Sequence, residues 1–545
     1  MTNKMMSGNS TASGLATKPQ KSWFALIFIV GFFWPLYRLL MNDGWILDDE
    51  ISHYYFSRSV WENPEQLFNH WTRPGRNWIH LLVAPLGFTA TRVFTLILSA
   101  LATWMSYRVA DRLGLKYAFL IPALLMFQSW FPELCYPVLT QAPFMLVWIL
   151  GIAAALKSRY HWAGFCFGYL SLIRHEGILL TALWGLWLSF QPGGLMHKLF
   201  GTITHGRGEV TLAKAISRDT LYALSTVSAI LIYNIAAFLM LGHWPFSIYF
   251  ESKPTTMYGS GTVYHYVPLL IYGAGFASSL LAAIGLCFLR GRVHAWSLIL
   301  VSYGFYFVAH SLIYWKGAFA SGGYYHFIMP MAPALALLAA LGLEGLCEMV
   351  KKWRWGSRIQ KPLVSCCVAC VIFQGFNMFH HQMNYQNWAK IMHEGGRPEF
   401  KLIAPPLEQG GHSQTVIEAS DWATNQENGR VFAKHVAHNF HQGILATQEQ
   451  IEAENAALYM MPTGSYYLWD SLYCEFENRI RYASFDESQD WVAVRAWQQE
   501  YPVDGAADPA KIYRVVVFQK VSARDTQDKH YDVLGEADKV DQIYE

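Results

Sequence analysis

The sequence predicts an all-α polytopic membrane domain of about eleven transmembrane helices, followed by a small α/β extracytoplasmic domain. Three observations predict it. Of 545 residues, 53% are apolar and 15% charged, too apolar a balance for one soluble globule. Eleven apolar runs punctuate the chain before residue 381. The charge is also split: the chain up to residue 381 carries 27 Lys/Arg against 14 Asp/Glu, net +13. The remainder carries 14 against 25, net −11, and has no run long enough to span a bilayer. Two parts of different solvent exposure follow.

Residues 1–21 read as a cytoplasmic tail, with Lys4, Lys18 and Lys21 preceding the run Trp23 to Leu40. No small-residue cleavage site follows that run, so it reads as an uncleaved signal-anchor helix. A helix of about 17–25 apolar residues crosses the hydrocarbon core, because its backbone groups satisfy one another where water cannot. Candidate runs lie near 22–40, 88–107, 116–131, 138–156, 161–173, 177–190, 220–241, 267–289, 295–313, 326–343 and 362–380. The fifth and sixth are short and joined by Arg174-His175-Glu176, which suggests a broken or re-entrant hairpin.

The loops between these runs give an independent test, because cytoplasmic loops carry the Lys/Arg excess. Arg108, Arg112 and Lys116, then Lys157 and Arg159, then Lys198, Arg207, Lys214 and Arg218 fall on one side if the amino terminus is inside. So do Arg290 and Arg292, and the group Lys351, Lys352, Arg354, Arg358 and Lys361. An odd number of crossings then places the chain beyond residue 381 outside, which makes this a multi-pass protein of a plasma or inner membrane. Within the multi-spanning domain 22–380, residues 41–80 form an acidic first external loop. Residues 381–416 read as a linker containing Pro405, Pro406, Gly410 and Gly411. Residues 417–545 read as an acidic external domain, with a helix from Glu418 to Asn428 stopped by Gly429, and strands at Arg430 to Ala433 and Lys511 to Val521.

Three polar anomalies stand near the membrane. The first loop holds Asp43, Asp48, Asp49, Glu50, Glu62 and Glu65 against Arg58, Arg73 and Arg76. Crowding of Asp48, Asp49 and Glu50 raises the proton affinity of one carboxylate, which suits a general base that accepts a hydroxyl proton. The competing reading is a solvated acidic helix start on the positive end of the helix dipole. Arg174-His175-Glu176 interrupts an apolar stretch, where an ionisable group costs a few kcal/mol unless paired or facing water. Its plainer reading is an Arg174/Glu176 pair capping a helix break. The third runs from His310 through Lys316 to Tyr324, Tyr325 and His326, offering cationic and hydroxyl donors suited to a phosphate or diphosphate. An ordinary interfacial belt of Tyr, Trp and Lys would look the same.

Other features carry less. Cys166, Cys287, Cys366, Cys367 and Cys370 lie in apolar runs as small packing residues, including the C-x-x-C of Cys367 and Cys370. Cys135 and Cys474 are the two expected outside. His435, His438 and His441 recur every three residues but read as solvated surface. No Gly-rich nucleotide loop precedes a helix, and no cofactor or nucleic-acid partner is expected; a divalent metal is left open.

Taken together these residues resemble the integral-membrane glycosyltransferases of the GT-C fold, which include protein O-mannosyltransferases, GPI-anchor mannosyltransferases and bacterial aminoarabinose transferases. The resemblance covers residues 22 to about 380. It rests on Asp49-Glu50, with Asp48 beside them and His53-Tyr54-Tyr55 following, on the small-residue run Gly164 to Gly177 carrying Arg174-His175-Glu176-Gly177, and on Tyr325-His326-Phe327-Ile328-Met329-Pro330-Met331-Ala332-Pro333. It implies inverting transfer of a sugar from a polyprenyl-phosphate carrier to a lipid, glycan or protein hydroxyl on the external face. By the same resemblance Asp49 is the first choice for the base, Asp48 the second, and Glu50 a helper that orients acceptor or donor. Arg174, Lys316 and His326 would neutralise the departing phosphate, with Glu176, His310 and Tyr325 in the same binding region. Family members commonly carry an Arg before the late Leu-Pro, where this chain has Tyr325-His326. Two other classes stay open: a lipid or solute transporter or flippase, with Arg174 and Glu176 lining a path, and a non-catalytic scaffold with an external binding domain. A polymer ligase fits less well, because the late loops are short.

Overall fold

The computed structural model describes residues 18–41, 49–61, 64–68, 73–205, 209–242, 244–245, 261–318, 323–353, 356–380, 422, 431–433, 463–470, 482–486, 490–500 and 512–521. Among them, six helices are long and apolar enough to cross a membrane: Lys18–Met41, Phe88–Arg112, Glu209–Leu241, Val293–Lys316, Ala332–Lys351 and Gly356–His380. The pair Tyr266–Ala274 and Phe276–Cys287, bent by 114° at Gly275, is together long and apolar enough to form a broken seventh span or a re-entrant loop. The protein is a multi-pass membrane protein.

The other expected spans are helical but short. Gln141–Ala155, Tyr160–Ile173 and Gly177–Ser189 have 15, 14 and 13 residues. At about 1.5 Å per residue each reaches roughly 20 Å, short of the ~30 Å hydrocarbon core. The run 116–131 is broken further, into a 3-10 turn at Ala118–Leu120 and helices Ile121–Met126 and Phe131–Leu134, each of the two helices carrying a proline in its first turn.

Lipid explains the outside of the bundle. Leu231, Ile232, Ile235 and Leu239 stand exposed on one helix, and Val301, Phe305, Val308 and Leu312 on another. In water such apolar surface would drive aggregation; in a bilayer it is the solvated face. The inside is packed through small residues. A Cβ on Gly342 would collide with the Leu281 carbonyl, and one on Gly285 with the Leu338 carbonyl. Helices Phe276–Cys287 and Ala332–Lys351 therefore touch backbone to backbone, as membrane helices do where close packing replaces the hydrophobic drive. Gly168 meets the Thr226 carbonyl in the same way, joining Tyr160–Ile173 to Glu209–Leu241.

The first loop folds onto this bundle as helix Asp49–Ser59, a 3-10 turn Pro64–Phe68 and helix Pro74–His80. The acidic part contains a four-stranded sheet in the order β1-β2-β4-β3, with β1 Val431–Ala433, β2 Tyr466–Asp470, β3 Trp491–Glu500 and β4 Ile512–Lys520. β1 pairs parallel to β2, and the other pairs are antiparallel. Tyr467, Trp469, Trp491, Val516 and Phe518 bury one face, against Phe485 of the short helix Tyr482–Asp486. β1 and β4 coincide with the two expected strands; β2 and β3 were not anticipated. The expected linker and Cys474 lie outside the described residues, as does the expected helix 418–428 except for Trp422, which is helical.

A break inside a membrane needs its backbone groups satisfied by protein. At Gly275, where φ is 86°, Gln374 does this: its Oε1 accepts from the Ala277 amide at 2.9 Å, and its Nε2 donates to the Ala274 carbonyl at 3.2 Å and to Ser278 Oγ at 2.9 Å. Gln374→Leu keeps the bulk and orphans these groups. It should lower the thermal unfolding temperature in detergent, in proportion to a loss of about 1–3 kcal/mol; an unchanged transition would show that water serves the break instead.

Candidate active site

The site forms where helix Tyr160–Ile173 stops. Arg174 adopts extended backbone (φ −148°, ψ 144°), so the chain leaves the helix there and restarts at Gly177. A Cβ on Gly177 would strike the Leu170 backbone, so only glycine lets the two helices fold this tightly at the turn. The turn drives Arg174 into the protein, where the residue is 6% exposed.

Its guanidinium is held on three sides. Nη2 donates to Glu176 Oε1 at 3.0 Å, Nη1 donates to Thr140 Oγ1 at 2.8 Å, and Cζ lies 5.4 Å from the centroid of the Phe327 ring. Nε has no partner among the described residues. His310, on helix Val293–Lys316, brings Nε2 to 3.5 Å from Glu176 Oε1, beyond a good hydrogen bond. The His310 ring stacks on Phe327 at 5.7 Å and meets Tyr306 at 4.5 Å, while the Tyr306 hydroxyl donates to the Phe327 carbonyl at 3.0 Å. His326 packs against the same Phe327 at 4.3 Å and stacks on Tyr324 at 5.4 Å. Burial, and then the nearby Arg174 cation and His310, push the His326 imidazole well below its ordinary value.

Of the residues expected at the site, Arg174, Glu176, His310 and His326 converge around Phe327. Lys316 does not join them: it is exposed at its helix end, with Nζ 3.9 Å from the Trp315 ring centroid. Tyr325 is buried as a packing residue, its ring against Gly273 and 5.7 Å from Trp130. Asp48 lies outside the described residues, and of Asp49 only the backbone, at the start of helix Asp49–Ser59, falls within them.

Glu50 follows directly and is fully buried. It receives Arg92 through both carboxylate oxygens, Nε to Oε1 at 2.8 Å and Nη2 to Oε2 at 3.2 Å, and Oε1 also accepts the Val138 amide at 3.0 Å. Arg92 lies between the rings of Phe88 and Tyr136, 4.8 and 5.2 Å from their centroids. Arg76, equally buried, ties the first loop to the same place: Nη2 donates to the His53 carbonyl at 2.6 Å and to Ser57 Oγ at 2.7 Å, and Nη1 to the Val138 carbonyl at 3.4 Å. Burial draws the Arg76 guanidinium down to about 9, still a cation at neutral pH.

Val138 is two residues from Thr140, the partner of Arg174. The carboxyl side of the site and its guanidinium side therefore hang from one segment, about 7 Å apart along the chain. Sequence reasoning missed Arg92 and Thr140. Arg92 had a signal, being an ionisable residue at the start of an otherwise apolar span. Thr140 had none beyond its place before a helix.

The GT-C resemblance can be set against solved structures. The chain is similar to ArnT from Cupriavidus metallidurans bound to undecaprenyl phosphate, with a TM-score of 0.54 at 13% identity, covering 92% of this chain and 99% of that one. For ArnT from the same organism in the apo state the TM-score is 0.52 at 12% identity, covering 91% and 98%. No family model and no curated protein matches the chain. At such identity the likeness is one of fold: the chain shares the overall fold of ArnT.

Arg92→Met leaves Glu50 buried without its main counter-charge, so stability in detergent should fall by about 3–5 kcal/mol; thermal unfolding within a degree of wild type would show the pair to be dispensable. His80 bridges the Arg76 carbonyl and Thr95 Oγ1, each at 3.0 Å, and burial together with the Arg76 cation lowers its pKa to about 3. Above about pH 6.5 folded and unfolded chains both hold this group neutral. Below it the unfolded chain binds a proton that the folded one refuses, so stability falls as pH drops towards 3, by up to ~1.4 kcal/mol per pH unit. His53, pushed down by burial and by Arg76 and Arg73, acts in the same direction. Unfolding temperatures at pH 7 and pH 5 should show the loss, and His80→Gln should reduce it.

Proposed function

We propose that this protein is an inverting membrane glycosyltransferase that moves a sugar from a polyprenyl-phosphate carrier to an acceptor hydroxyl on the external face. The observation that carries the reading is the buried Arg174, oriented by Glu176, Thr140 and Phe327, with Nε unpartnered among the described residues. It lies on a GT-C fold, and its Thr140 partner is two residues from the backbone amide that holds Glu50. The ArnT structure with undecaprenyl phosphate supports a carrier of that chemistry.

The reaction needs a base for the acceptor proton and a positive group for the leaving phosphate. Asp49, or Asp48 beside it, takes the proton from the acceptor hydroxyl as that oxygen attacks the anomeric carbon from the face opposite the carrier. The bond from the anomeric carbon to the phosphate oxygen breaks, and its electron pair stays on the phosphate. Arg174 then stabilises the developing charge, with His326 and His310 as further N–H donors. Glu50 serves this site by anchoring the helix start through Arg92. In this reading the short helices complete an eleven-crossing bundle, with the amino terminus in the cytoplasm and the acidic domain outside, beside the acceptor. Which sugar and which acceptor are used is the question for the assay.

Membranes containing the wild-type protein, supplied with polyprenyl-phosphate sugars, should transfer sugar to endogenous acceptor. Asp49→Asn should abolish transfer while the protein still inserts and accumulates. Arg174→Met should reduce kcat/KM by at least about a hundredfold, the usual effect of removing a transition-state charge donor. Full transfer by the Asp49→Asn protein would remove that residue from the mechanism. Inactivity of the wild type with every polyprenyl-phosphate sugar tried would overturn the reading itself.

A further inference from the structure

Thr140 occupies the residue before helix Gln141–Ala155, where a threonine hydroxyl ordinarily accepts from an amide of the first helical turn. It makes no such cap. The third helical residue is Pro143, which has no amide to give, and the hydroxyl oxygen instead accepts from Arg174 Nη1 at 2.8 Å. A side chain suited to stabilising its own helix is thus diverted to a buried guanidinium, across 34 residues of sequence.

The surroundings of Thr140 make this more than a local exchange. The residue is 6% exposed. The segment leading to it is clamped from three sides: the Cys135 carbonyl accepts from Ser99 Oγ at 2.7 Å, the Val138 amide donates to Glu50 at 3.0 Å, and the Val138 carbonyl accepts from Arg76 at 3.4 Å. The oxygen offered to Arg174 is therefore held by the first-loop network and by helix Phe88–Arg112. Glu176 holds one end of the guanidinium and the Phe327 ring lies against its face. A second acceptor on the other nitrogen sets its plane, and so sets where Nε points.

We infer that Thr140 is a positioning residue: its hydroxyl oxygen fixes the plane of Arg174 for an anionic phosphate and ties that plane to the loop bearing the proposed base. The inference rests on the reading of the site as a polyprenyl-phosphate transferase. It adds a residue that neither the resemblance nor the fold assigns.

The test uses the full-length protein in detergent, with undecaprenyl phosphate as the binding probe and sugar transfer as a second readout. Thr140→Val keeps the shape and removes the acceptor. It should raise the Kd for undecaprenyl phosphate and the KM for the donor by about tenfold, the order expected for one hydrogen bond to a charged group. Thr140→Ser restores the oxygen and should return both to within about twofold of wild type, with both variants folded at the assay temperature. Thr140→Ala provides the same comparison if the valine protein fails to fold. Unchanged Kd and KM in the valine or alanine protein would overturn the proposal. Equal defects in the valine and serine proteins would also overturn it, since packing rather than the oxygen would then be responsible. A wild-type protein that neither binds undecaprenyl phosphate nor transfers sugar would instead refute the functional reading beneath it.

Discussion

Backbone that leaves a helix at membrane depth has no water to turn to, and each break in this chain is set by what the protein supplies in its place. At Gly275 the supply is a single amide side chain, Gln374, which satisfies the broken helix and leaves a closed structural joint. At Arg174 local turns satisfy the backbone, the Gly177 amide donating to the Arg174 carbonyl at 2.9 Å, and it is the side chains that need partners. Three polar residues in succession sit between two apolar helices, and the ion pair from Arg174 to Glu176 is completed by Thr140 rather than by the local backbone. The first break closes upon itself, whereas the second presents a charged group with hydrogen-bonding capacity to spare.

Two buried arginines, Arg92 and Arg174, show the same contrast. Arg92 meets a carboxylate through two nitrogens, with aromatic rings on either side. Such a bidentate pair holds the loop helix against Phe88–Arg112 and is hard to disturb, because removing either partner strands a charge away from water. Arg174 meets its carboxylate through one nitrogen and a neutral hydroxyl through another, over one aromatic face. A guanidinium held in this way is oriented without being saturated, the condition a ligand-binding arginine has to meet.

Much of this was legible in the sequence because lipid imposes simple rules. Each of the eleven apolar runs falls on helical structure, and the Arg174-His175-Glu176 interruption, conspicuous only against its apolar setting, does form the centre of a polar cluster. The lengths were less legible. Counting apolar residues cannot tell a helix whose surface faces lipid from one such as Gln141–Ala155, which is short and whose apolar surface is buried by protein. Lys316 and Tyr325 were grouped with His310 and His326 by proximity in sequence, but helix geometry separates them. Lys316 ends its helix over Trp315 on an exposed face, and Tyr325 turns into the core against Gly273. Thr140 could not be found at all, since its role exists only as a contact between distant segments. Strands β2 and β3 were missed for a related reason: Tyr466–Asp470 and Trp491–Glu500 are rich in aromatic residues, whose pattern becomes a buried face only once four strands are paired.

The near-neutrality of the Arg174–Glu176 pair bears on how such a site could accelerate the proposed reaction. A sugar phosphodiester carries one negative charge, and as the glycosidic bond breaks the bridging oxygen takes up another. A site with large net positive charge would bind the starting diester tightly and gain proportionally less as the reaction advances. With Glu176 offsetting most of its charge, Arg174 attracts the diester only modestly. Its oriented N–H groups, which need not reorganise, gain strength as charge develops on the departing oxygen. On the proposed reaction, the carboxylate that opposes phosphate binding in the ground state would confine stabilisation to the transition state, and Thr140, a neutral acceptor on the opposite nitrogen, orients the guanidinium without removing more of its charge.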